Sequence, residues 1–216
     1  MTLLGSVPGV RCDEEVLRIK RGEPTSLLAR RAARAAFGDV HAWGTAIHPE
    51  HLLTRTVTDP VDWVGALHDD GYELITLVRT NPLAIALSSV IADQKGAWHF
   101  VEGHDARDRG PAKVLLDPML VLQIAIQSER STEDVRRWVA ERSHLALVYE
   151  DDLREPDRHQ PTADRVLRYL GLQTAPVTSP LRRRSVPLLE QIENLDAVAA
   201  VLRPTRFGPM LADIDR

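Results

Sequence analysis

One short stretch of the chain combines an arginine, a helix start and a hydroxyl at a spacing that suits phosphate binding. Arg79 closes an apolar segment, Asn81-Pro82 follows, and Ser88 comes nine residues after the arginine. An arginine can hold a phosphate with two parallel N–H donors. A helix N-terminus offers free N–H groups and a favourable dipole, and Ser88 would lie roughly 9 Å along that helix. The alternative is an arginine that faces solvent and a serine bonded to its own backbone.

A second basic feature lies near the C-terminus. The run LRRRS places Arg182, Arg183 and Arg184 directly before Ser185. Several guanidinium groups beside a hydroxyl suit a mobile segment that binds an anion. A solvated basic loop is the alternative, and it is the usual outcome for such a run.

Two acidic clusters are the remaining candidates for chemistry. Glu14 and Glu15 follow Cys12-Asp13, and either could act as a general base for a hydroxyl acceptor or be a surface acid at the start of a helix. The run YEDDL, residues 149–153, offers carboxylates that could be bases or metal ligands. We favour the alternative for this run, a polar turn with helix caps.

The composition excludes several classes of protein. The 216 residues include 27 Lys+Arg and 31 Asp+Glu, and the net charge of -4 argues against a dedicated nucleic-acid binder. The single cysteine, Cys12, favours a reducing compartment. No apolar run approaches the roughly 18 residues of a membrane span, so we expect a soluble cytoplasmic protein with no membrane or nucleic-acid partner. The Walker A motif, the GxGxxG motif and metal-ligand spacing are absent from the sequence, which argues against a kinase, a dehydrogenase and a metal site.

Alternating helices and strands must position these residues. The apolar strand segments are typical of a parallel sheet covered on both faces. Proline and Asx residues at helix starts and glycines at helix ends supply the helix boundaries. The predicted strands are 41–47, 72–79 and 145–150; the predicted helices are 25–37, 59–72, 81–95, 117–141, 161–172 and 186–203; the predicted loops are 101–116 and 173–185. We expect a single domain over residues 1–216.

Four pieces of the sequence, taken in order, resemble the sulfotransferase family, especially its bacterial trehalose, lipopolysaccharide and Nod-factor enzymes. They are TLL with PGVRCDEEVL; LVRTNPLAIALSS with QKGAW; LVYEDDL with VLRYLGL; and LRRRSVPLLEQIEN with RPTRFGPML. The resemblance implies an α/β, P-loop-like three-layer fold with a central parallel sheet. It also implies transfer of a sulfuryl group from 3′-phosphoadenosine-5′-phosphosulfate (PAPS) to a hydroxyl or amine of a small molecule or glycan, without a metal.

The resemblance also assigns roles by position. Glu15 matches a glutamate that serves as the catalytic base for the acceptor hydroxyl. Tyr149 and Glu150 match a signature of the fold and not of the chemistry. Which C-terminal arginine contacts the donor's 3′-phosphate stays open. The positions that match PAPS-binding residues are Arg79, Ser88, Arg182, Arg183, Arg184 and Ser185.

The chain departs from the family pattern in two places. The family's first strand and its phosphosulfate loop, of the type GRSGSTLL, would end where this sequence has Thr2-Leu3-Leu4, so we expect both to be missing. The residue after Gly44 is Thr45, where the family often has a lysine. Three explanations are open: a start further upstream, a non-catalytic protein of the same fold that binds a nucleotide or a protein partner, or a rebuilt site. The sequence also leaves monomer and homodimer open.

Overall fold

A computed structural model describes residues 3–13, 40–53, 59–96, 113–179 and 186–214. Short 3-10 helices occur at Leu4–Ser6, Leu189–Gln191 and Pro209–Asp213. Within the described ranges the strands are β1 Val10–Asp13, β2 Ala42–Thr45, β3 Leu74–Val78 and β4 His144–Val148. The α-helices there are α1 Pro49–Leu53, α2 Pro60–Asp69, α3 Pro82–Lys95, α4 Pro118–Val139, α5 Tyr149–Asp152, α6 Pro156–Tyr169 and α7 Leu195–Leu202.

The strands pair in parallel, as predicted. β1 lies beside β2 from Val10↔Ala42 onward, and β3 lies beside β4 with Leu77 opposite Leu147. In the described residues these pairs are two separate two-stranded sheets and not one central sheet. The mixed α/β class is therefore confirmed at this coarser level.

The chain divides into two compact units, each with its own core. The first unit comprises the described residues of 1–78 and 133–179, and the second those of 79–132 and 180–216. The single domain expected for residues 1–216 stays a prediction.

Small apolar clusters hold the first unit. Val64 of α2 packs with Trp138 and Val139 of α4. A second cluster joins Val10 of β1 to Leu167 of α6. Each cluster fixes a helix against neighbouring elements through apolar surface removed from water.

The second unit is built on one larger core. Its fully buried members come from three helices and the segment after α7: Leu83, Ala86, Leu87, Ile91, Val121, Ala125, Val198, Leu202 and Phe207. α3 supplies the first four, so its position is set by hydrophobic burial along most of its length. In the part of the chain that the structure describes, no helix combines the length and hydrophobicity needed to cross a bilayer.

Helices α2 and α3 confirm the capping predictions. The Asp59 side chain accepts the Val61 amide at 2.8 Å, and Asn81 Oδ1 accepts the Ala84 amide at 3.0 Å. α3 ends where Gly96 adopts φ +61°, a left-handed conformation that favours glycine.

Two predicted helices differ from the structure, and some observed elements are not predicted. The helix predicted over 161–172 begins five residues earlier, at Pro156, so Pro161 lies inside it. The helix predicted over 186–203 is a 3-10 turn followed by α7, because Ile192 forms a β-bridge with Val114 instead. β1 and α1 lie where the sequence predicts no element. The helix predicted over 25–37 and most of the loop 101–116 lie outside the described residues.

Candidate functional site

Arg79 and the start of α3 form a fixed corner. Arg79 directly follows Val78 along the chain and is half-buried. Two residues later, the Asn81 side chain caps α3, and its Nδ2 donates to the Met210 carbonyl at 3.2 Å. Asn81 therefore joins the helix start to the C-terminal part of the second unit. That tie limits how far the backbone beside Arg79 can move.

The first turn of α3 has little free hydrogen-bonding capacity. Pro82 has no N–H, the Ala84 amide donates to Asn81 Oδ1, and the Ile85 amide donates to the Asn81 carbonyl at 3.4 Å. Within this turn only the Leu83 amide remains, and Leu83 is fully buried. The expectation that free helix N–H groups bind an anion here stays a prediction, and few such groups in this turn are available for it. An anion at this corner depends on side chains and on the dipole of the helix.

Ser88 lies on the same side of α3 as its cap. Seven residues separate Ser88 from Asn81, which is about two helical turns. Ser88 is half-buried, whereas its neighbour Leu87 is fully buried in the core. Ser88 therefore lies at the edge of the hydrophobic core and not inside it. Arg79 and Ser88 are carried by one continuous, capped segment of the second unit.

The other predicted site residues lie outside the described ranges. These are Glu14, Glu15, Arg182, Arg183, Arg184 and Ser185. The predicted roles of these residues stay predictions.

The acidic run at 149–153 forms the short helix α5 instead of the predicted turn with side-chain caps, and its Asp152 has a structural role. Asp152 Oδ2 accepts the Val148 amide at 2.8 Å, and its Oδ1 accepts Arg165 Nη1 at 2.6 Å. Arg165 also donates to the Ala146 carbonyl, and Thr162 Oγ1 donates to the Asp152 carbonyl. This network fixes the turn between β4 and α6. Both Asp152 oxygens are engaged, and the described residues contain no cluster of three or more potential metal ligands.

A buried lysine is the polar feature that the sequence did not reveal. Lys95, the last residue of α3, is 5% exposed, and its Nζ donates to Gln191 Oε1 at 3.2 Å. Gln191 Nε2 donates in turn to the Val186 carbonyl at 3.0 Å. This chain of bonds ties the end of α3 to the residue that follows Ser185 in sequence. Its partners are 96 residues apart, so no local pattern could have predicted it.

Cys12 does not have the environment of a catalytic nucleophile. Burial raises the pKa of its thiol, and the neighbouring Asp13 carboxylate raises it further. A raised pKa lowers the fraction of reactive thiolate at neutral pH. The Asp13 carboxylate itself accepts Trp43 Nε1 at 3.0 Å across the β1–β2 pair.

Comparison with known proteins gives no relative for this chain. No family model, curated protein or solved structure matches it.

Proposed function

We propose that this protein is a sulfotransferase with a P-loop-like three-layer fold, which moves a sulfuryl group from PAPS to a hydroxyl or amine of a small molecule or glycan. One observation carries the proposal: on one continuous segment, half-buried Arg79 precedes the capped start of α3 and half-buried Ser88 lies about two turns into the helix. The ordered sequence resemblance supplies the identity of the anion, the ribose 3′-phosphate of the donor.

The chemistry of this corner fits a phosphate. A guanidinium offers two parallel N–H donors to phosphate oxygens, and partial burial strengthens that interaction because water competes less. A serine hydroxyl can add one charge-assisted hydrogen bond. The positive end of the α3 dipole favours the same ligand, although its amides are largely engaged. Arg79 and Ser88 would therefore supply most of the affinity for the 3′-phosphate.

The proposed reaction is an in-line displacement at sulfur. The acceptor oxygen forms a bond to sulfur while the bond from sulfur to the 5′-phosphate oxygen breaks. Glu15 accepts the proton from the acceptor hydroxyl, and 3′,5′-bisphosphoadenosine leaves with the bonding electron pair. One of Arg182, Arg183 or Arg184 would close over the 3′-phosphate. Holding donor and acceptor together makes the step effectively unimolecular.

Titration calorimetry with 3′,5′-bisphosphoadenosine tests the site. We expect Arg79→Ala to weaken binding by a few kcal/mol, or roughly thirtyfold and more, as for truncation of one member of a desolvated charged pair. Ser88→Ala should weaken it roughly tenfold, the cost of one hydrogen bond to a charged group. Both losses should disappear with adenosine 5′-monophosphate, which lacks the 3′-phosphate.

Arg203→Ala is the matched control. Arg203 is an exposed arginine at the end of α7 in the same unit, and its loss removes the same charge from the protein. Its affinity for the bisphosphate should stay within twofold of the wild type. Equal affinities in Arg79→Ala and wild type would reject Arg79 as the phosphate clamp and the proposed function with it.

A non-catalytic protein of the same fold remains the second candidate. It is favoured by the engaged amides of the first turn of α3, which leave fewer donors for a bound anion. Bisphosphate binding that depends on Arg79, without release of bisphosphate from PAPS in the presence of hydroxyl and amine acceptors, would select this candidate.

A further inference from the structure

The first unit contains a cavity that the proposed nucleotide site does not use. It is open to solvent and has a volume of about 380 Å³ between one face of the β3–β4 sheet and the end of α4. Neither Arg79 nor Ser88 lines it. The lining residues are Thr76, Val78, Val135, Arg136, Val139, His144, Ala146, Leu147 and Val148. Its volume falls in the range of small-molecule sites, which are mostly apolar with few polar groups.

The cavity exists because one face of the sheet is incompletely covered. Thr76, Val78, Ala146 and Val148 alternate along β3 and β4 onto a single face. Ala146 is exposed on that face although it lies in mid-strand. A parallel pair normally has helices over both faces, and here α4 reaches the sheet through Val135 and Val139 while leaving space beside them. Apolar walls of this kind gain free energy when a hydrocarbon displaces water.

The polar groups at the cavity favour an anion at one end. Arg136 is exposed at the lip on α4, and in the described part of the chain no carboxylate forms an ion pair with it. Its neighbour Arg137, by contrast, is paired with Asp134. His144 Nδ1 donates to the Arg142 carbonyl at 2.9 Å, which fixes the imidazole ring in the wall. Among the residues that the structure describes, no carboxylate lines the cavity.

We propose that this cavity binds a small apolar monocarboxylate, with its hydrocarbon against the valines and its carboxylate at Arg136. The hydrocarbon dominates the affinity. Each buried methylene strengthens binding about fourfold, whereas an ion pair at an exposed arginine contributes only about twofold to fivefold. The proposal stands apart from the proposed function because it uses different residues in the other unit.

Calorimetric titration of the full chain with hexanoate, octanoate and decanoate below their micellar concentrations tests it. We expect saturable binding of one molecule, with affinity rising about fourfold per methylene until the chain fills the cavity. Arg136→Gln should weaken octanoate binding about twofold to fivefold and leave octan-1-ol binding unchanged. Ala146→Phe should abolish binding, because its ring would fill the open part of the cavity.

Arg137→Gln is the control, since it removes the same charge from the same helix one residue outside the cavity. It should bind octanoate like the wild type, and circular dichroism should verify that Ala146→Phe is folded. A lack of saturable binding, or equal losses in Arg136→Gln and Arg137→Gln, would overturn the proposal. So would a dimer in sedimentation that Ala146→Phe dissociates, because a second copy would then fill the cavity. Bisphosphate affinity should be the same in Arg136→Gln and wild type, so the two proposals can fail independently.

Discussion

Glu129 and Arg206 form an ion pair whose strength depends on pH. Glu129 lies on α4, and both its carboxylate oxygens accept donors from Arg206. The guanidinium also lies 4.7 Å from the centroid of the Phe207 ring. The hydrogen bonds from Arg206 lower the pKa of Glu129, although desolvation opposes this. The pair therefore joins a surface carboxylate to the segment that places Phe207 in the core.

We expect Glu129→Gln to lower the free energy of unfolding by about 0.5 kcal/mol at pH 7, within the usual range for an exposed pair. A carboxyl whose pKa is lowered by folding stabilises the protein above its unfolded pKa, near 4.5. That contribution disappears as the pH falls through the lowered value. Urea titrations of variant and wild type should therefore converge near pH 2. Glu133→Gln, an exposed position on the same helix, should show no difference at either pH.

The Asn81 side chain both caps a helix and bonds to a distant part of the chain, whereas the Asp59 side chain only caps a helix. Both residues cap helices that begin with proline. Among the described residues, the Asp59 side chain bonds only within its own first turn, to the amides of Val61 and Asp62. Asn81 additionally donates to the Met210 carbonyl, 129 residues away in sequence. The cap is a local feature that the sequence predicts, and the bond to Met210 is a tertiary contact that it does not.

Asp59→Ala should cost about 1 kcal/mol of unfolding free energy, as for the loss of an N-cap. Asn81→Ala should cost about 1 kcal/mol more, because the Met210 carbonyl loses its donor. Asn81→Asp should fall between wild type and Asn81→Ala, since aspartate retains the cap but cannot donate to a carbonyl. Chemical denaturation measures all three. Equal costs for Asp59→Ala and Asn81→Ala would show that the bond to Met210 contributes nothing to stability.

Local signals explain which elements could be predicted. The Asp-Pro and Asn-Pro starts of α2 and α3 are satisfied within one turn, so their positions follow from sequence. α6 begins at Pro156, because a proline is tolerated in the first turn of a helix, where an N–H would have no partner in the helix. Pro161 lies in the second turn, where it removes one backbone hydrogen bond. β1 has only four residues and no clear alternation, so its pairing with β2 decides its conformation.

Contacts distant in sequence explain what could not be predicted. The helix predicted over residues 186–194 does not form, because three such contacts hold this segment in another conformation. Gln191 bonds to Lys95, Ile192 pairs with Val114, and the Asn194 amide makes two bonds to the Leu116 backbone. The same limit applies to the candidate site. The positions of Arg79 and Ser88 along the chain could be predicted from local spacing. The sequence does not show that the amides of the first turn of α3 are occupied, because this depends on the bonds that they make to Asn81.

Exposed apolar side chains on one face of β3 affect the behaviour of the whole molecule in solution. Leu77 is 52% exposed and Ile75 is 36% exposed, whereas Leu147, which lies opposite Leu77 in the parallel pair, is 5% exposed. An apolar sheet surface of this kind favours association between molecules. A net charge of -4 gives only modest electrostatic repulsion against it.

The paired leucines allow a matched test of this surface. Leu147→Ala should cost about 2 kcal/mol or more of unfolding free energy, because it empties a buried site. Leu77→Ala should cost less than about 1 kcal/mol, because water already reaches that side chain. Leu77→Glu should also raise the concentration at which light scattering detects association, since it adds negative charge to the apolar face. If Leu77→Ala were as destabilising as Leu147→Ala, Leu77 would be covered in solution, and the face of β3 would be an interface and not a free surface.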